Sequence, residues 1–497
     1  MDRIERALLV ADAGRDAVVD AGRVVSYGAL RGLARATAAL LRERGLAPGD
    51  RVAVLHEKTT ASIAALYGTW LAGGVVVPLN EALKSKQVAH VVAHSGARFV
   101  LVDPRRAARL DAGTLGDATP LEVPTSGIDE PDAPSLRGDR EPAAILYTSG
   151  STGMPKGILL SHANLIAGAR IVSTYLEIRH DERILSVLPF GFDYGLNQLL
   201  TSVARGATLV LQRSHVAPDV VRALHEHRIT ALAGVPPLWI QLADERVSPF
   251  FREALPHLRY ITNSGGAFPV ELVRRYRAHL PSARVYLMYG LSEAFRSTYL
   301  PPSEIDRRPW SMGRAIPETE ILVVREDGSE CDAGEPGELV HAGPTVSLGY
   351  YRDPEETARV LRPDPRGGER PLAVWSGDVV TRDPEGFLRF VGRRDQQIKS
   401  LGYRMSPEEV EATLRASRMV ADAAVHGRAD ASAGQLVIAD VVIARGEARD
   451  GFEARLLAWC RREMPVYMVP AEIRVHDALP RTSSGKLDRT SLSRGAT

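Results

Sequence analysis

Over its first two-thirds the chain alternates short, nearly continuous apolar runs with longer stretches whose apolar residues recur at helical spacing. The runs fall at residues 51–56, 74–79, 98–103, 143–147, 184–188, 207–211, 259–262 and 285–288. Segments such as 27–44 and 220–227 lie between them and read as helices. Strands apolar on both faces, linked by helices, build largely parallel sheets covered on both sides. Such sheets bind ligands beyond the carboxyl ends of their strands. The pattern changes after about residue 300, where strands at 320–324 and 337–341 flank an acidic turn and predict a small antiparallel β unit. Residues 362–371 hold three prolines and two glycines and read as a loop. From about residue 396 a compact α+β unit is expected, with helices over 407–417 and 452–463 and strands near 421–425 and 436–443.

Composition narrows the function classes. The chain has 497 residues, 44% hydrophobic and 25% charged, which excludes general disorder. Lys+Arg total 62 and Asp+Glu 61. That balance argues against nucleic-acid or membrane binding through bulk charge and leaves room for one local cationic site. The two cysteines, Cys331 and Cys460, are far apart and can build neither a disulfide framework nor a cysteine zinc site. The apolar run at residues 7–11 is too short for a signal segment, and residues 64–79 are too broken by glycine for a membrane span. A soluble, cytoplasmic protein is expected. Only six of the basic residues are lysines (58, 84, 86, 156, 399 and 486), and a chain that uses Arg for charge alone can reserve Lys for places needing a compact ammonium.

Four segments carry chemistry. Tyr-Thr-Ser-Gly-Ser-Thr-Gly-Met-Pro-Lys-Gly at 147–157 follows an apolar strand and precedes an expected helix near Ser161. Its glycines let backbone N–H groups approach an anion, its hydroxyls donate and its lysine adds charge, although the Walker A spacing is not met. Tyr-Leu-Met-Tyr-Gly-Leu-Ser-Glu at 286–293 ends another strand with a hydroxyl and a carboxylate, suited to a phosphate oxygen and Mg²⁺. Trp-Ser-Gly-Asp at 375–378 precedes Gly-Arg-Arg-Asp at 392–395. A lysine on a Gly/Ser loop, Lys486, lies near the C-terminus. Taken singly, the last three are as compatible with ordinary turns and caps as with a site.

In this order the four segments resemble the adenylate-forming superfamily of acyl-CoA synthetases, nonribosomal peptide synthetase adenylation domains and beetle luciferases. The resemblance covers nearly the whole chain. It implies an α/β fold: a large N-terminal domain (1–394) of two αβ-layered subdomains plus a small β unit, and a small mobile α+β C-terminal domain (395–497). It also implies two half-reactions. A carboxylate attacks the α-phosphate of ATP and releases pyrophosphate, then a thiol takes the acyl group and releases AMP. By this resemblance Thr148, Ser149, Gly150, Ser151, Thr152, Gly153 and Lys156 cradle the pyrophosphate. Tyr289, Gly290, Ser292 and Glu293 serve the nucleotide, with Glu293 on Mg²⁺. Gly265, Gly266 and Ala267 lie along adenine, and Asp378 and Arg393 take the ribose. Asp395 is the hinge. Lys486 acts in adenylation and Lys399 in thiol transfer. Ser292 stands where threonine is usual, which keeps the hydroxyl. Anionic attack on phosphorus needs cations and donors aimed at developing charge, and two lysines on one small domain suit two domain orientations.

The acid is less clear from sequence. Residues 188–198 should border the acyl pocket, with Phe192 and Tyr194 lining it. Asp193 matches the position that binds the substrate amine in amino-acid-adenylating members. A buried carboxylate needs such a partner. Arg296 suits a second carboxylate or another acceptor, Ser264 could assist, and Met288, Phe190 and Trp239 are lining candidates or ordinary core. The arrangement resembles stand-alone adenylating enzymes for β-amino acids, acidic ones included. Three readings stay open at this point. One is amino-acid adenylation with transfer to the phosphopantetheine of a separate carrier protein. Another is a ligase joining a non-amino acid to free CoA, in which Asp193 and Arg296 merely pair with each other. The last is an inactive nucleotide-binding scaffold, against which the full set of Lys156, Glu293, Asp378, Lys399 and Lys486 argues.

Overall fold

The computed structural model describes the chain except residues 1–2, 82, 84, 130–137, 150–154, 368–371, 395–397, 401–402, 406, 431–433, 465, 483–486 and 495–497. Of residues 149, 399, 403–404, 434, 467, 490 and 493–494 it describes the backbone alone. The chain divides into two units, Met1–Ile321 with His341–Trp375, and Leu322–Val340 with Ser376–Thr497.

The apolar runs of the first unit form two sheets. One has nine strands, whose parallel centre runs Arg284–Tyr289, Tyr260–Asn263, Ala231–Gly234, Arg183–Ser186, Thr208–Leu211, Asp16–Asp20. The other has seven, with Pro142–Ser149, Val75–Pro78, Arg51–Leu55, Ala97–Val102 and Thr119–Leu121 parallel. Helices Thr60–Leu71 and Asp193–Arg205 are buried on nearly every side, as expected of helices packed between apolar layers. Capping boxes start Thr60–Leu71 at Thr59 and His162–Tyr175 at Ser161, satisfying N–H groups that the helix cannot.

Two expectations change in detail. Residues 155–161 read in sequence as loop leading into a helix, but they form a strand, Pro155–Ser161, paired antiparallel with Pro142–Ser149. Alternate residues Ile158 and Leu160 are fully buried, so packing extends the phosphate-loop segment into a hairpin. Part of the predicted loop at 362–371 also belongs to a strand, Leu361–Pro363, paired with Leu372–Val374 of its neighbour.

In the second unit Gly434–Ile443 pairs antiparallel with Val420–Asp430 and parallel with Glu472–Val475. One sheet face packs Val425, Val437 and Val441 against Val410, Leu414, Leu456 and Cys460 of helices Pro407–Ala416 and Phe452–Glu463. The other face carries Ala424 and Val442 under Leu479, Leu487 and Leu492. Both cysteines are buried and free. Among the described residues no helix is long and apolar enough to cross a membrane.

Candidate active site

The hairpin places the phosphate-loop ends opposite each other, with Thr148 in register with Lys156. Gly150, Ser151, Thr152 and Gly153 lie outside the described residues, and Ser149 is described by its backbone. The short strand Gly349–Tyr350 joins the same hairpin, Tyr350 facing Ile158. This brings in side chains that no sequence motif had marked. Lys156 Nζ lies 3.2 Å from Glu356 and 3.7 Å from Asp353, and 5.9 Å from the centre of the Tyr350 ring. The Tyr350 hydroxyl donates to Glu293 Oε1. Burial, and then the Glu293 charge, raise the Tyr350 phenol well above its ordinary range, so it is a donor and not a base. Arg359, and then Lys156, hold the Glu356 carboxyl below the usual carboxylate range. The Ser347 N–H donates to the Glu293 carbonyl at 2.8 Å, fixing the backbone behind the carboxylate. A Gly-Tyr-Tyr followed by the helix-capping Asp353-Pro354 was the available signal.

The acyl and adenine segments follow strand ends, where the parallel-sheet rule puts ligands. Ser264, Gly265, Gly266 and Ala267 follow Tyr260–Asn263, and Asn263 Nδ2 donates to the Gly266 carbonyl at 3.0 Å. Gly265 has φ +79°, and a Cβ there would lie 3.6 Å from the Phe192 ring. Tyr289 ends strand Arg284–Tyr289, and the chain turns back through Gly290, Ser292 and Glu293 so that the Ser297 N–H bonds the Tyr289 carbonyl. That turn delivers Arg296 into the interior. It is 2% exposed, its Nη1 is 3.8 Å from Asp193 Oδ2, and its guanidinium lies 4.6 Å over the Tyr194 ring. Its Nε and Nη2 are buried with no hydrogen-bond partner among the described residues. Asp193 opens helix Asp193–Arg205, where the dipole favours a carboxylate.

Other lining candidates are tied into the core. Tyr194 bonds Thr262, Met288 Sδ accepts from Tyr175 at 3.0 Å, and Trp239 packs on Tyr276 and Phe268.

In the second unit Asp378 and Arg393 are in register on neighbouring strands and share a 2.8 Å hydrogen bond. Asp378 is 6% exposed, and Glu338 braces the turn beside it through the Gly377 N–H and Arg394. Lys399 sits on strand Ile398–Ser400 opposite Arg404. Asp395 and Lys486 lie outside the described residues. The base of the Lys486 loop is closed by the Arg481–Leu487 bridge and by Asp488 N–H on the Pro480 carbonyl at 2.9 Å. Arg489 then anchors the chain to Glu411 and Glu408. Asp378–Arg393 and Asp193–Arg296 are thus each brought together, within their own unit.

Comparison with known proteins gives the family. The model of the AMP-binding enzyme family matches residues 7–351, and that of the AMP-binding enzyme C-terminal domain matches 409–486. The chain is 34% identical to a feruloyl-CoA synthase of Amycolatopsis over 95% of this chain and 94% of that one. It is also 34% identical to CymA, a probable nonribosomal peptide synthetase of Salinispora arenicola, over 99% of this chain but only 6% of that protein's length. The structure of o-succinylbenzoate coenzyme A synthetase from Bacillus subtilis with ATP and a magnesium ion superimposes with a TM-score of 0.86 at 25% identity, covering 99% of each chain. The chain belongs to the AMP-binding enzymes, AMP-forming ligases that use ATP to adenylate a carboxylic acid.

Proposed function

We propose that this ligase activates an amino acid carrying a second acceptor group, an acidic β- or α-amino acid, and passes it to the phosphopantetheine thiol of a separate carrier protein. The observation behind this reading is Arg296. A buried guanidinium with two unpartnered nitrogens costs about 1–3 kcal/mol for each unmet donor. A substrate carboxylate could take two parallel bonds from it and recover that cost. The 3.8 Å gap to Asp193 is long for a hydrogen bond, which leaves that carboxylate able to receive a substrate ammonium. An acid bearing both groups would satisfy both side chains at once.

ATP and Mg²⁺ fit the residues present. Glu293 supplies one carboxylate, and Mg²⁺ is commonly held by one or two carboxylates plus substrate phosphates. Bound there, the ion would neutralise phosphate charge. Lys156 exchanges Glu356 and Asp353 for the pyrophosphate oxygens. Gly265 to Ala267 lie along adenine, and Asp378 accepts from the ribose hydroxyls while Arg393 holds its orientation. Lys486 offsets charge between the substrate carboxylate and the α-phosphate in the first half-reaction. The small domain then turns at Asp395 to bring Lys399 to the thiol step.

The second reading is a CoA ligase for a plain acid, favoured by the full-length likeness to a feruloyl-CoA synthase. ATP–pyrophosphate exchange decides between them, using aspartate, β-alanine, 3-aminobutyrate and alanine beside succinate, propionate, butyrate, ferulate and indoleacetate. Exchange confined to amine-bearing acids, strongest with aspartate, supports the proposal. Exchange with the amine-free acids sinks it and makes the Asp193–Arg296 contact a wall of the pocket.

A further inference from the structure

Lys58 takes no part in the chemistry described so far, yet it is 4% exposed. It lies between strand Arg51–Leu55 of the seven-stranded sheet and helix Thr60–Leu71. Its Nζ donates to the Leu188 carbonyl at 3.3 Å, just beyond strand Arg183–Ser186 of the nine-stranded sheet. The lysine therefore ties the end of one sheet to the first residue of the segment 188–193. Its own backbone is held in turn, because Arg213 Nε donates to the Lys58 carbonyl and Arg213 Nη2 bonds Asp20, which also takes the Thr60 N–H. Lys58 lines a small cavity together with Val54, His56, Ser62, Glu81 and Phe190. The segment also packs closely on the chain just after strand Val75–Pro78 of that same seven-stranded sheet, since a Cβ on Gly191 would lie 2.7 Å from Asn80 N and 2.9 Å from the Leu79 carbonyl carbon.

We propose that Lys58 is a positioning residue for the acyl site, clamping the Leu188 carbonyl so that segment 188–193 presents Phe192 and Asp193 in one fixed arrangement. The proposal rests on the functional reading above for what that segment does, and on the geometry alone for the clamp. The clamp carries a pH signature. Burial pushes the Lys58 ammonium down to about 7, Glu81 opposing and Arg213 assisting. His56 lines the same cavity, and His215, itself pushed down by burial, is coupled to both Lys58 and Glu81. Below about pH 7 the clamp is a charged donor, and above it a neutral amine, which makes a weaker bond.

Hydrogen–deuterium exchange of the peptide covering 188–198, corrected for intrinsic rates, reads the clamp without any substrate. At pH 6 Lys58→Met should exchange there about tenfold faster than the wild type, the scale of losing one charged hydrogen bond, with strand Arg284–Tyr289 unchanged. In the wild type the protection should change with an inflection near pH 7, because the closed and the opened segment hold the Lys58 proton differently. Glu81→Gln should move that inflection to lower pH, and Lys58→Arg should abolish it while keeping much of the protection. With the acid selected from the exchange panel, Lys58→Met should raise KM for the acid about tenfold and leave KM for ATP unchanged. Unaltered protection in folded Lys58→Met overturns the proposal. So does an inflection that Glu81→Gln leaves in place, the result that decides should Lys58→Met fail to fold. If no acid on the panel supports exchange, the functional reading fails, and the deuterium result still judges the clamp.

Discussion

Replacing Gly168 by alanine sets two effects against each other. Gly168 is interior to helix His162–Tyr175, where alanine normally gains about 1 kcal/mol over glycine. Here the added Cβ would lie 2.4 Å from Phe295 Cδ1 and 2.8 Å from Cε1. Normal carbon contacts are about 3.5–4.0 Å, so the ring must retreat by roughly 1 Å. It has nowhere to go. Phe295 is 0% exposed, with φ +53°, a left-handed conformation that a bulky residue rarely adopts, and its neighbours Ala294 and Arg296 are buried. Overpacking a fixed core site costs about 1–3 kcal/mol, and a locked ring belongs at the upper end. Net of propensity, Gly168→Ala should lose about 1–2 kcal/mol. The assay is urea unfolding followed by tryptophan fluorescence, with the midpoint expected to fall at unchanged slope. Because Phe295 adjoins Arg296, KM for the acid should also rise more than KM for ATP. Adding Phe295→Leu removes the clashing atoms, and the pair should couple by about 0.5 kcal/mol or more. A variant as stable as the wild type, or more so, would show that the ring is free to move and that the tight turn through 290–296 does not fix Arg296.

Three other outcomes are expected. Lys486→Ala should lose pyrophosphate exchange while still forming thioester from supplied acyl-adenylate, and Lys399→Ala should do the reverse; single-turnover assays of each half-reaction read both, and unimpaired exchange in the first would remove Lys486 from the adenylation step. Asp378→Ala should raise KM for ATP by about tenfold or more, the scale of a lost charged hydrogen bond, with little change in KM for the acid. Lys58 holds its proton to about pH 7 in the fold but to 10.5 in the unfolded chain. Between those values the unfolded state binds more protons, so stability should rise with pH by at most about 5 kcal/mol; Lys58→Met should lack this slope in urea titrations at pH 7 and 9.

The parallel strands were legible because burial on both faces leaves a mark that needs no partner to interpret. Residues 51–56, 98–103 and 285–288 read as strands and match strands Arg51–Leu55, Ala97–Val102 and Arg284–Tyr289 to within one residue at each end. The helices at 407–417 and 452–463 were legible from apolar spacing alone. The hairpin Asp16–Asp20 with Arg23–Ser26 was not, because its turn places Ala21 at φ +48° before Gly22 at +80°. Alanine there carries no turn signal, and tertiary pairing imposes what local preference would not choose. Strand Pro155–Ser161 was hidden for a related reason, since a glycine and lysine motif suggested loop while Ile158 and Leu160 were committed to the core.

Two pairs of the site, Asp378 with Arg393 and Asp193 with Arg296, could be named from motifs, but the partners of Lys156 and Glu293 could not. Glu356 lies two hundred residues from Lys156, Tyr350 is 57 residues from Glu293, and the open nitrogens of Arg296 exist only because a turn buries it. Charge in a sequence shows what a residue can offer, and only the fold shows whether that offer has been taken up. Lys58 makes the point most sharply. Of the six lysines, 156, 399 and 486 stand inside motifs that mark them. No motif covers Lys58. A compact ammonium kept there is explained by one carbonyl 3.3 Å away on a segment 130 residues later.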